Sequence, residues 1–143
     1  MDQPRTVADI MITALITVGP EASVARARAL MQQHGIRHLP VVDDAGALLG
    51  VVTQRTMLAE VLRIADRVGI QGLEQEMAGH PVTGLLGGDV EQVQPQLPLV
   101  EAGRYFLSCK HGCLPVVDGG RLVGMITSAD FVRLSVALLE GGR

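Results

Sequence analysis

The sequence predicts an α/β (α+β) fold of two pseudo-symmetric halves, each with a small sheet covered by two helices. Three observations point to it. The chain repeats itself at a nearly constant offset, each repeat alternates strand-like apolar runs with helix-period segments, and 48% of residues are apolar while only 2% are aromatic. The interior must therefore be built from Val, Leu, Ile, Ala and Met. A length of 143 residues suits one domain, or two small halves sharing a core.

Setting residue 82 beneath residue 7 puts VTGLLGGDVEQVQP under VADIMITALITVGP at an offset of 75 with no gap. The same offset places CLPVVD (113–118) under HLPVVD (38–43). DDAG in the first copy then becomes DGG in the second, and the offset falls to 74 for GVVT (50–53) and GMIT (124–127). Two copies of about 60 residues are too few for a solenoid, so a facing pair is expected. The predicted division is a first repeat over 1–66, a linker with a short helix over 67–81, and a second repeat over 82–143.

Each repeat reads as strand, helix, strand, strand, helix. After the early strand around Thr17 and Val18, Ser23 is the predicted N-cap of SVARARALMQQHG. Val24, Ala27, Leu30, Met31 and His34 follow at three-and-four spacing, and Gly35 ends the helix. Its counterpart starts with Pro98 near the first turn and runs through Leu99, Ala102, Phe106 and Cys109. LPVV is a strand in both copies, followed by a Gly-containing turn and second strands over 47–53 and 121–127. Helices over roughly 54–66 and 128–139 close the two units and can cover one face of each sheet.

Composition excludes several classes of function. The net charge of −3 is spread along the chain without a basic run, which argues against a nucleic-acid partner. Tyr105, Phe106 and Phe131 are too few for a base-stacking platform. No apolar stretch approaches the roughly 18 residues of a membrane span, and MDQPRTVADIM lacks a signal peptide's charged and apolar regions. No membrane association and a cytoplasmic location are expected, with Cys109 and Cys113 reduced.

GMITSAD (124–130) ends in Asp130, where GVVTQRT (50–56) ends in Thr56. A helix starting near residue 128 leaves its first N–H groups unpaired, and its dipole favours an anion such as a phosphate. Thr127 adds a hydroxyl at that mouth. One turn along, the Asp130 carboxylate could accept a hydrogen bond from each hydroxyl of a ribose cis-diol. T-S-A-D also fits a capping box, with Asp130 reaching back to the Thr127 amide. Spacing alone leaves both readings open.

The order ITVGP, HLPVVD, GVVT, then CLPVVD and GMITSAD resembles the paired cystathionine-beta-synthase (CBS) domain, or Bateman module, over about residues 7–139. That resemblance implies a tandem CBS-domain pair whose halves pack through their sheets. It implies two clefts for adenosine compounds such as AMP, ADP, ATP or S-adenosylmethionine. In the family the Asp of GxxTxxD contacts the ribose and the Thr lies near the phosphate. Each cleft also takes lining from the opposite half, and Met125 is placed as a wall for the adenine. The nucleotide-binding set is then Thr17, Val18, Ile36, Arg37, His38, Pro40, Met125, Thr127, Ala129 and Asp130. Arg37 is a phosphate-binding cation, and His38 a second that would make binding pH-sensitive. The other cleft would draw on Thr56, Gln92, Val93, His111, Gly112 and Cys113, with Gln92 in place of Thr17 and Gly112 in place of Arg37. One intact site, around Asp130, is expected.

The resemblance implies a stand-alone regulatory module that requires no cofactor, acts on an unnamed protein, and joins into a homodimer by helix faces. Met57, Val61, Leu62, Val132, Val136 and Leu139 are the expected contact residues. A ligand-free dimeric scaffold is the alternative. Enzyme activity is not expected, since no GxxxxGK[ST] loop or nucleophile motif occurs. Cys109, His111 and Cys113 alternate like metal ligands, but zinc wants four and Cys109 falls on an apolar helix face, so no metal is expected.

Overall fold

The computed structural model describes residues 3–87, 91–108 and 112–141. Cys109 and His111 of the possible metal triad lie outside them. The chain divides into two compact units, one formed by Ile16–Val90 and the other by Met1–Leu15 with Glu91–Arg143. Helices and two small antiparallel sheets alternate as the repeat predicts.

In the unit formed by Ile16–Val90, helix α1 spans Val24–His34. Ser23 Oγ accepts from the Arg26 amide at 3.0 Å, and Gly35 ends the helix in the left-handed region at φ 61°. Val24, Ala27, Leu30 and Met31 form its buried stripe. His34, expected on that stripe, is exposed. Strands β1 (His38–Val42) and β2 (Leu48–Thr53) pair antiparallel with a register shift between Val41 and Val42. Asp43 Oδ1 closes the turn between them, accepting from the Ala45 and Ala47 amides at 2.9 Å. The predicted early strand is reduced to a parallel bridge between Val18 and Val41. Pro20 stops it there, having no N–H to extend a ladder.

Helix α2 spans Gln54–Gly79 and is two helices joined at Gly69, whose φ of 78° and ψ of 169° are not helical. Arg67 and Glu76 pair across that break at 2.6 Å. Met57, Val61, Ile64 and Met77 turn inward to Leu39, Val41 and Val52. The stretch after residue 66 thus adds Met77 to the core. The expected contact face of α2 needs correction on the same ground. Met57 and Val61 sit on the four-residue stripe that fills the unit's own interior, while Leu58 and Leu62 are exposed.

In the second unit, α3 (Leu99–Ser108) precedes the antiparallel strands β3 (Cys113–Asp118) and β4 (Arg121–Thr127), and α4 (Ser128–Leu139) follows. The register shifts again at the equivalent place, between Val116 and Val117. Gly119 and Gly120 connect the strands with φ of 60° and 80°. A two-residue hairpin turn with positive φ at both positions requires residues of this kind, which explains why the second copy is one residue shorter here. Tyr105, Phe106 and Phe131, the chain's three aromatic side chains, stack edge to face with centroids 5.6 Å apart in each contact.

The leading segment of each repeat belongs to the other repeat's compact unit. Ile12 exchanges backbone hydrogen bonds with Met125 at 2.8 and 2.9 Å, extending the sheet beyond β4. Correspondingly, Val82 donates to the Ala22 carbonyl at 2.7 Å, and the Leu86 side chain lies over Gly50. Among the described residues no helix is long and apolar enough to cross a membrane.

Candidate functional site

Strand β4 ends at Thr127 in extended backbone, and α4 begins at the next residue. Asp130 therefore falls in the first turn, where a carboxylate complements the helix dipole. It is the only buried charged side chain among the described residues, 7% exposed. Its Oδ2 accepts from the Thr127 amide at 2.7 Å and from the Thr127 hydroxyl at 3.2 Å. The reach-back expected of a capping box is thus formed. Its Oδ1 accepts from the Arg133 guanidinium at 2.6 Å. Arg133 was not among the residues singled out from sequence, although i,i+3 spacing to an acid on a helix is a readable sign of pairing.

Met125, Thr127, Ala129 and Asp130 come together at this strand-to-helix junction. Met125 is buried, whereas Ala129 is exposed. Cys113 lies opposite Thr127 across the β3–β4 ladder. Burial first, and the Asp130 charge second, push its thiol up to about 12. At neutral pH it is a protonated thiol and a poor nucleophile. Among the described residues no group of three or more His, Cys, Asp or Glu could hold a metal ion.

The equivalent junction in the first unit has different chemistry. Thr53 Oγ1 caps α2 by accepting from the Thr56 amide at 3.1 Å, and the two hydroxyls meet at 2.9 Å. A pair of hydroxyls carries no charge and accepts more weakly than a carboxylate.

Thr17, Val18, Ile36, Arg37, His38 and Pro40 are likewise gathered within the Ile16–Val90 unit. Val18 bonds to the backbone of Pro40 and Val42 at 3.1 and 2.9 Å, which sets Thr17 and Val18 alongside β1. Ile36 donates to the Met31 carbonyl at 3.1 Å, and the Arg37 carbonyl accepts from Gln54 at 2.9 Å. Thr17 and Arg37 are exposed, Ile36 and His38 half-buried, Val18 and Pro40 buried. The hollows lined by Gln3, Pro4, Arg5 and Asp9 (about 570 Å³) and by Gln92, Val93, Gln94, Val117, Gly119 and Gly120 (about 230 Å³) include none of these residues.

Burial, and then the neighbouring Arg37 charge, hold the His38 pKa below its ordinary 6.5. The imidazole is therefore neutral at pH 7, and Arg37 is the cation of the set. A pKa lower in the folded than in the unfolded chain means that unfolding takes up a proton between the two values. The resulting stability is complete above about pH 6.5 and is lost as pH falls through the folded-state pKa. Melting temperature should fall between pH 7.5 and 5.5 by more in the parent than in His38→Gln, as read by circular dichroism. Equal falls would show that His38 does not titrate this way.

The sequence profile of the CBS domain matches residues 7–63 and 85–137. AcuB of Vibrio cholerae has a similar structure, with a TM-score of 0.77 and 37% identity, covering 94% of this chain and 93% of that one. CBSX2 of Arabidopsis thaliana, solved in complex with AMP, matches with a TM-score of 0.78 and 32% identity over 95% of this chain and 99% of its own. The CBS domain pair of protein MJ0100, solved with 5-methylthioadenosine and S-adenosyl-L-methionine, gives a TM-score of 0.72 and 25% identity, covering 98% and 100%. The chain spans only 33% of protein MJ1404 of Methanocaldococcus jannaschii, to which it is 29% identical over 138 residues and 94% of its own length. With the duplicated GxxT junctions, a two-stranded sheet in each unit and the profile matching both repeats, the chain belongs to the CBS domain family as a tandem pair.

Proposed function

We propose that this CBS pair is a non-catalytic sensor of adenosine compounds, AMP, ADP, ATP or S-adenosylmethionine, with one intact site built on Asp130. The observation that carries the reading is the buried carboxylate in the first turn of α4, where its repeat counterpart has only Thr56. The adenosine ligands in the CBSX2 and MJ0100 structures support the class of compound. Thr127 and Met125 are the proposed neighbours of Asp130, together with Ala129. Thr17, Val18, Ile36, Arg37, His38 and Pro40 are the residues the family pattern assigns to the same ligand, with Arg37 as the phosphate partner. The effect on a regulated protein can be no larger than the ligand's difference in affinity between two arrangements of the module.

Thermal denaturation with AMP, ATP and S-adenosylmethionine tests this. A ligand at a hundred times its dissociation constant should add about 2.7 kcal/mol. Titration should give one site per chain. No shift with any of the three, or two equivalent sites, would refute the reading.

A second reading, a dimeric interaction scaffold, is favoured by exposed apolar side chains. Val132, Val136 and Leu139 on α4 are 62%, 48% and 86% exposed, and Leu58 and Leu62 on α2 are 58% and 64% exposed. Such faces suit self-association. This reading requires a dimer in sedimentation at high micromolar concentration together with no thermal shift from any of the three adenosine compounds; a monomer, or a shift, would refute it.

A further inference from the structure

We infer that Arg133 is an internal competitor for the ribose-binding carboxylate, so that this carboxylate is latched by its own helix and a ligand must displace the guanidinium. This rests on the nucleotide reading above and adds a residue that governs its affinity. Asp130 Oδ2 already accepts two donors from its own turn, the Thr127 amide and hydroxyl. The remaining capacity lies at Oδ1, where Arg133 is bound at 2.6 Å. A carboxylate oxygen accepts about two hydrogen bonds, so a cis-diol and the guanidinium cannot both be fully served there.

The two partners differ in how firmly they are held. The Asp130 side chain is 6% exposed and fixed by its cap, whereas Arg133 is 67% exposed. Among the described residues Asp130 is the only ion-pair partner of Arg133. Arg133 can therefore swing into water while the carboxylate stays in place. The repeat supplies an internal comparison, because at the offset of 74 the positions of Asp130 and Arg133 are filled by Thr56 and Ala59. The copy without the acid is also without the arginine.

Adenosine is the discriminating probe, since it offers the diol and no charge. Calorimetric titration of the full chain with adenosine should show Arg133→Gln binding about two- to fivefold tighter than the parent, the range expected from losing an exposed ion pair. The parent's affinity should rise toward the variant's as salt is raised from about 0.02 M to about 0.5 M, because screening weakens the latch. The variant should be insensitive to salt, and Arg133→Lys should behave like the parent. Equal or weaker binding by Arg133→Gln, or parent affinity that falls with salt, would overturn the latch while leaving the nucleotide reading intact. If neither protein binds adenosine and neither binds AMP, the nucleotide reading itself fails and the latch with it.

Discussion

Asp130→Ala should weaken AMP binding by between about thirtyfold and about a hundredfold in calorimetric titration. Two charge-assisted hydrogen bonds to the ribose contribute about 3 kcal/mol. Up to about 1 kcal/mol of that is offset by displacing the exposed Arg133. The same substitution removes the acceptor of the Thr127 amide, so loss of the cap should lower stability by about 1 kcal/mol. Those two effects separate in Asp130→Asn. The amide oxygen can still accept from Thr127 N, which keeps stability near that of the parent. The position that faced the ribose then carries an NH2, which donates where the carboxylate accepted, so the charge-assisted ribose bonds are lost and affinity should fall by at least about tenfold. A folded Asp130→Ala protein that binds AMP as tightly as the parent would show that the carboxylate serves only its helix.

How much of this could be read from sequence depends on the range of the interaction. Ser23, Gly35, the Gly119–Gly120 turn and the β1–β2 and β3–β4 pairs are fixed by neighbours within a few residues, and their types announce them. The extent of α2 was not legible in the same way. Gly69 and Gly72 both suggest a break, yet only Gly69 leaves the helical region, and the chain resumes as helix so that Met77 can reach the core. The early strand at Thr17 and Val18 was overestimated because apolar alternation does not reveal where pairing stops.

At the candidate site, the residue types at the end of β4 pointed both to a cap and to a ribose, and the structure forms the cap contacts. The share of Oδ1 taken by Arg133 depends on rotamers that a sequence does not display. His38 shows the same limit. Its type suggests a cation, while the direction of its pKa is decided by how deeply β1 is buried.

The exchange of leading segments is the least legible feature. VADIM and VTGLL carry the same pattern, and nothing in their periodicity says which compact unit each will join. The glycine that opens GVVT and GMIT is where that exchange leaves its mark, and substituting it should give the second large effect. A Cβ at Gly124 would lie 2.5 Å from Met11 Sδ, 2.9 Å from Met11 Cγ and 3.1 Å from the Ile12 carbonyl oxygen. Met11 can move, but the Ile12 backbone is bonded in both directions to Met125. At Gly50 the corresponding neighbours are Leu86 side-chain atoms at 2.9 and 3.3 Å, which can turn aside. Gly124→Ala should therefore destabilise by about 1–3 kcal/mol, the usual range for overpacking, and Gly50→Ala by clearly less. Urea titration should show a lower midpoint at unchanged slope if the segment over 7–12 stays docked, and a reduced slope if it detaches, since less surface is then left to expose. Equal stability of the two variants would mean that the Ile12–Met125 bridge yields as easily as a leucine side chain, and that the leading segment is not held in its unit by this close approach.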